Sequence, residues 1–96
     1  MNLGRVRGTV VAAKRCDGVP DPRYLLVEES DQRGAGRGEY VVALDLVGAD
    51  RGQLVLLAQG SSCCWTQATA DKPMDALVVG IVDGVDQGGA YVWKRE

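Results

Sequence analysis

The chain has 96 residues, 46% of them hydrophobic and 25% charged, a composition that fits one globular domain with a single core and excludes extended disorder. With 11 basic and 13 acidic side chains the formal charge is −2, which provides no field to gather nucleic acid or an anionic membrane. Histidine is absent, so the commonest general base and the commonest transition-metal ligand are both missing.

Leu3 to Ala13 alternates as a strand does, with Val6, Gly8, Val10 and Ala12 on one face and Arg5, Arg7, Thr9 and Val11 on the other. One face is core; the other is wet or lies at an interface. Arginines alternating with valine and glycine do not make the start of a secretory leader, and every apolar run is too short to cross a bilayer, so a soluble cytoplasmic protein is expected. Lys14 to Arg23 collects Asp17, Gly18, Pro20, Asp21 and Pro22 and reads as a surface loop. Tyr24 to Glu29 is a short strand, and the glycines and charges of Ser30 to Gly38 mark a hairpin connection after it.

Tyr40 to Asp45 is the next β-run, Leu46 to Gly52 a turn and Leu54 to Ala58 a further run, a spacing that predicts a hairpin. Gly48, Gly52 and Gly60 argue for sharply specified loops, because glycine tolerates positive φ and close backbone approach. Gly60 to Lys72 is small and polar, with Ser61 or Ser62 placed to cap a short helix or ordered loop. Beyond Pro73, Ala76 to Val85 is β-prone through Leu77, Val78, Val79, Ile81 and Val82, and the turn Gly88-Gly89 leads into the alternating Tyr91-Val92-Trp93. Six short β-runs with at most one helix predict an all-β domain over residues 1 to 96, a small closed barrel or a sandwich, and five to six strands with one helical connection fit a barrel of the OB type.

Reactive groups do not converge. Cys16, Cys63 and Cys64 are an odd set, adjacent thiols bridge only with strain, and zinc wants four ligands, so free thiols and no metal or cofactor are expected. The glycines of Gly48-Ala49-Asp50-Arg51-Gly52 precede a β-run rather than the helix and Lys-Ser/Thr of a phosphate loop. Gly60-Ser61-Ser62 lacks the Gly-x-Ser-x-Gly elbow and any histidine to activate a serine. Asp75 and Asp83 stand at opposite ends of one strand and serve turns or a subunit boundary better than acid–base work. Arg5 and Arg7, with Lys14 and Arg15 beyond, form a basic stripe that an OB barrel could turn to single-stranded nucleic acid. Only five aromatics, Tyr24, Tyr40, Trp65, Tyr91 and Trp93, are present to stack bases. A noncatalytic barrel that oligomerises is the reading the residues favour, with a nucleic-acid module as the alternative.

An ordered set of segments carries a resemblance: Leu3 to Ala12, Leu25-Leu26-Val27, Ala43-Leu44-Asp45-Leu46-Val47-Gly48-Ala49, Gly60-Ser61-Ser62, and Pro73 to Asp83. Together they resemble the EutN/CcmL family of bacterial microcompartment vertex proteins over nearly the whole chain. The resemblance implies an OB-like protomer, a homopentamer at the vertices of a polyhedral shell, hexameric shell proteins as partners, no enzymatic activity, and no cofactor, membrane or nucleic acid. It also implies that Gly48, Ala49, Asp50, Arg51 and Gly52, and Gly60, Ser61, Ser62, Cys63 and Cys64, lie at protomer contacts or near the fivefold axis. The family commonly reads Gly-Ala-Gly-x-Gly-Glu and Gly-Ser-Ser-Ala-Arg where this chain has Gly48-Ala49-Asp50-Arg51-Gly52-Gln53 and Gly60-Ser61-Ser62-Cys63-Cys64. A glutamate and an arginine are thus both absent, and Asp50 and Arg51 are the candidates to replace that pair.

Overall fold

A computed structural model describes residues 1–11, 22–59 and 76–95. These form seven strands, β1 (Asn2–Val10), β2 (Tyr24–Ser30), β3 (Gly36–Asp45), β4 (Leu54–Gln59), β5 (Ala76–Ile81), β6 (Gly84–Gln87) and β7 (Ala90–Lys94), with no helix among the described residues. The first five close into a barrel in the order β1-β2-β3-β5-β4, and β6 and β7 pair separately as a two-stranded ribbon. All barrel pairings are antiparallel except β3 with β5, which run parallel. The helix expected between Gly60 and Lys72 falls outside the described residues.

Alternation in sequence becomes inside and outside of the barrel. Val6, Leu25, Val27, Ala43, Val55, Leu57, Ala76 and Val78 meet in the interior, with Val41 and Ile81 packed against them. Neighbours of opposite parity make a second apolar layer on the outer surface, where Leu44, Leu77 and Ala58 are buried among Tyr24, Leu46 and Val79. Register explains it: Tyr24 pairs with Leu44, Leu44 with Leu77 and Leu77 with Ala58, so one row of side chains crosses four strands. A strand covered on both faces reads as an apolar run rather than an alternation, which is why Leu54 to Ala58 and Ala76 to Ile81 show no polar face.

Three expectations are corrected. The runs ending at Asp45 and starting at Leu54 do not form a hairpin, because β5 lies between β3 and β4 in the barrel; a seven-residue turn is compatible with a hairpin but does not require one. The segment from Ala76 to Val85 is not one strand, since the ladder stops at Ile81 and β6 begins at Gly84. The alternation of β1 slips at a register shift between Val6 and Gly8, so Gly8 is only half-buried. The β2–β3 hairpin is present, and its second strand starts at Gly36, earlier than Tyr40.

Carboxylates pin that hairpin. Glu28, 8% exposed on β2, accepts hydrogen bonds from Arg7 Nε at 2.8 Å and the Gly38 N–H at 2.9 Å. Room for its carboxylate exists because residue 36 is glycine; a Cβ there would collide with it. Asp31 Oδ1 accepts from the N–H groups of Arg33 (2.8 Å) and Ala35 (3.1 Å) and shapes the turn. The Gly38 N–H foremost, and then Arg7, hold the Glu28 carboxyl below its ordinary value of 4.5. The Ala35 and Arg33 N–H groups do the same for Asp31, whose ordinary value is 3.8.

Two outcomes follow from this packing. A Cβ on Gly4 would stand 2.5 Å from Val27 Cγ1 and 2.8 Å from Leu57 Cδ1, whereas one on Gly8 meets nothing within 4 Å. Gly4→Ala is expected to cost about 1–3 kcal/mol in urea denaturation through overpacking, and Gly8→Ala to cost nothing. Because Glu28 has a depressed carboxyl in the folded state, its stabilisation is fully present above the unfolded value and is lost as pH falls through the folded one. Melting temperature should therefore fall below about pH 4.5, and Glu28→Gln should flatten that fall relative to the unaltered chain.

Candidate functional site

Residues 46–53 link the last residue of β3 to the first of β4 across the end of the barrel, and Asp45 holds them. Asp45 pairs through its backbone with Val78 of β5, while its carboxylate turns onto the residues that follow. Oδ1 accepts from the N–H groups of Val47 and Gly48, both at 3.0 Å, and Oδ2 from that of Ala49 at 3.1 Å. Arg23 Nη1 donates to Asp45 Oδ2 at 2.8 Å and to the Ala49 carbonyl at 2.7 Å. The Asp45 side chain is 2% exposed, so the ion pair is shielded on the carboxylate side while Arg23 stays half in water.

The far half of the connection is tied to β1 and to itself. Gly52 N–H donates to the Val6 carbonyl at 2.7 Å, and Val6 N–H to the Gln53 carbonyl at 3.0 Å. Gln53 Oε1 accepts from the Asp50 N–H at 2.7 Å, and Gln53 N–H donates to the Asp50 carbonyl at 3.2 Å. Gly48 and Gly52 have φ of 76° and 91°, the left-handed region that side-chain-bearing residues avoid, so here glycine is required by the backbone path. Ala49 is fully buried and joins the interior cluster as a plug at the barrel end. The backbone is fixed on three sides, yet the side chains of Asp50 and Arg51 project into solvent.

The sequence had singled out Gly48 to Gly52, and these five residues form one ordered unit. Gly60, Ser61, Ser62, Cys63 and Cys64 lie outside the described residues, so no distance joins the two loops. Arg23, Asp45 and Gln53, which do the bracing, were not among the candidates. An aspartate followed within three residues by glycine was the available sign for Asp45. For Arg23 there was none, since its partner is 22 positions away. Beside the loop a cavity of about 330 Å³ is lined by Val6, Gly8, Thr9, Arg23, Leu25, Asp50 and Arg51. It brings two guanidinium groups beside one carboxylate, and no nucleophile–base pair. Among the described residues no group of three or more Cys, Asp or Glu side chains could hold a metal ion.

Residues 1–83 match the family described as "Ethanolamine utilisation protein EutN/carboxysome". The chain belongs to the EutN/CcmL family. It is 37% identical over 95 residues to the bacterial microcompartment shell vertex protein EutN of Escherichia coli K12, covering 99% of this chain and 100% of that one. The structure of Gloeobacter violaceus CcmL superposes with a TM-score of 0.92 at 34% identity, covering 99% of this chain and 98% of that one. The GrpN pentameric microcompartment shell protein from Rhodospirillum rubrum gives 0.81 at 36% identity over 91% and 99%. EutN/CcmL membership fits the observed barrel, in which loop geometry rather than a reactive constellation is the specified feature.

If Asp45 braces the crossover, Asp45→Ala leaves three backbone N–H groups without their acceptor, removes one of the acceptors of Arg23, and should cost about 2 kcal/mol or more in urea denaturation. Arg23→Ala, which leaves the backbone bonds in place, should cost about 1 kcal/mol or less. Tryptic cleavage after the exposed Arg51 should speed up more in the first variant than in the second.

Proposed function

We propose that five copies of this chain form a ring that caps the vertices of a bacterial microcompartment in the cytoplasm, with hexameric shell proteins as its neighbours. The observation that carries the reading is end-to-end likeness, in sequence and in fold, to proteins described as shell vertex proteins and as pentameric. The role is architectural: a sheet of sixfold tiles closes only where fivefold points supply curvature. A single-stranded nucleic-acid module, the alternative, is not supported: the relatives are described as shell vertex proteins, and Arg7 is committed to Glu28.

In this reading Gly48, Ala49, Asp50, Arg51 and Gly52, with Gly60 to Cys64, meet neighbouring protomers or the fivefold axis. The fixed backbone and the exposed side chains of Asp50 and Arg51 support it, because a preformed loop loses little entropy on association. Exposed apolar side chains on β3 and in the loop, Tyr40 (57%), Val42 (45%) and Val47 (38%), gain by being covered.

Native mass spectrometry should find a species at five times the 10.2 kDa chain mass. Monomer alone across micromolar concentrations would sink the proposal. Reversing charge in Asp50→Lys or Arg51→Glu should shift the population towards monomer while the far-UV spectrum of the barrel is kept. Rings unchanged in both variants would remove this loop from the interface.

A further inference from the structure

We propose that the cleft between β1 and the C-terminal ribbon binds a small oxyanion, a phosphate, sulfate or carboxylate group free in solution. The cleft encloses about 310 Å³ and is lined by Arg5, Gly52, Gln53, Trp93, Lys94 and Arg95. Three of these six carry positive charge in a chain whose formal charge is −2. Asp83 offsets one of them, through a 3.0 Å contact with Arg95.

Arg5 stands apart from the other arginines on β1 and in the loops. Its guanidinium Cζ lies 6.0 Å from the centroid of the Trp93 ring, and its Nη2 abuts Gly34, where a Cβ would come within 2.7 Å. Stacking therefore fixes the position of the group, yet Nε is buried with no acceptor. The acceptors around it are committed elsewhere. Glu28, its partner across the β1–β2 ladder, is occupied by Arg7 and Gly38, and Gln53 Oε1 is occupied by the Asp50 N–H. Among the described residues, Arg5 and the indole N–H of Trp93 have no hydrogen-bond acceptor.

A guanidinium held in place by an aromatic ring, with its donors unspent, is prearranged for two oxygens of an oxyanion. Lys94, whose amine sits 4.9 Å from the Tyr91 ring centroid, and Arg95 add charge at the rim. The volume is at the lower end of small-molecule sites, which favours an anion of a few atoms over a nucleotide. A neutral ligand would leave the charge of Arg5 unanswered.

The test titrates inorganic phosphate, and separately acetate, into the assembled protein at constant ionic strength maintained with chloride. In a Trp65→Phe background Trp93 is the remaining tryptophan, and its fluorescence reports the cleft. A saturable change with a midpoint at or below about 1 mM is expected for at least one of the anions. The melting temperature of the unaltered chain should rise with the same anion and not with chloride. Arg5→Gln should weaken the response about tenfold, as for loss of a charge-assisted pair. A doubly substituted chain, Lys94→Gln with Arg95→Gln, should weaken it in the same direction and decides the matter if Arg5→Gln does not fold. A response that is absent or linear for both anions, or whose midpoint neither set of substitutions moves, overturns the proposal. Ring formation is measured in the same samples by native mass spectrometry, so loss of the ring and loss of the anion are read separately.

Discussion

Parallel pairing of β3 with β5 is the constraint from which the rest of the molecule follows. Parallel neighbours cannot be joined by a tight turn, so the chain must leave β3, cross the barrel end and travel elsewhere before it returns. It does so through residues 46–53, runs as β4 against β1 to close the barrel, and comes back as β5 between β4 and β3. Asp45 sits at the point where this happens. Its backbone belongs to the β3–β5 ladder and its side chain organises the crossover, so the closure and the shape of the loop are fixed by one residue. Ala49 then seals the barrel end from inside.

Several of the described carboxylates hold backbone. Glu28 accepts the Gly38 N–H at the start of β3, Asp31 those of its own turn and Asp45 those of the loop after β3, and Arg7 and Arg23 complete two of these sites. A carboxylate spent on such bonds is held in one orientation, which suits a structural strut. That accounting explains why charge is abundant among the described residues without forming a catalytic constellation there. It also isolates Arg5, a cation fixed by Trp93 and Gly34 with no anion assigned to it among the described residues.

The C-terminal ribbon adds a second tie. Trp93 packs over Arg5 and the Gly34 turn, Gln32 Nε2 donates to Gln87 Oε1 at 3.1 Å, and the Val82 N–H reaches the Leu54 carbonyl at 2.8 Å. These contacts gather β1, the β2–β3 turn and the start of β4 under one cover. The described part of the chain is thus braced at both the crossover and the ribbon.

Strand identity was legible from the sequence, because alternation in β1 and apolar β-branched runs in β3 and β5 are local properties of the chain. So was the sharply specified path at Gly48 and Gly52, since positive φ leaves a direct mark as glycine. The ordered segments also carried the family, and with it the barrel. What the sequence alone could not decide was partnership. Whether Leu54 to Gln59 pairs back on β3 or crosses to β1 depends on where β5 inserts, and that is settled by long-range closure rather than by turn length. Likewise Arg23 meets Asp45, Arg7 meets Glu28 and Arg5 meets Trp93 only after the strands are in register, because side chains 21 or more positions apart have no pattern in sequence that joins them.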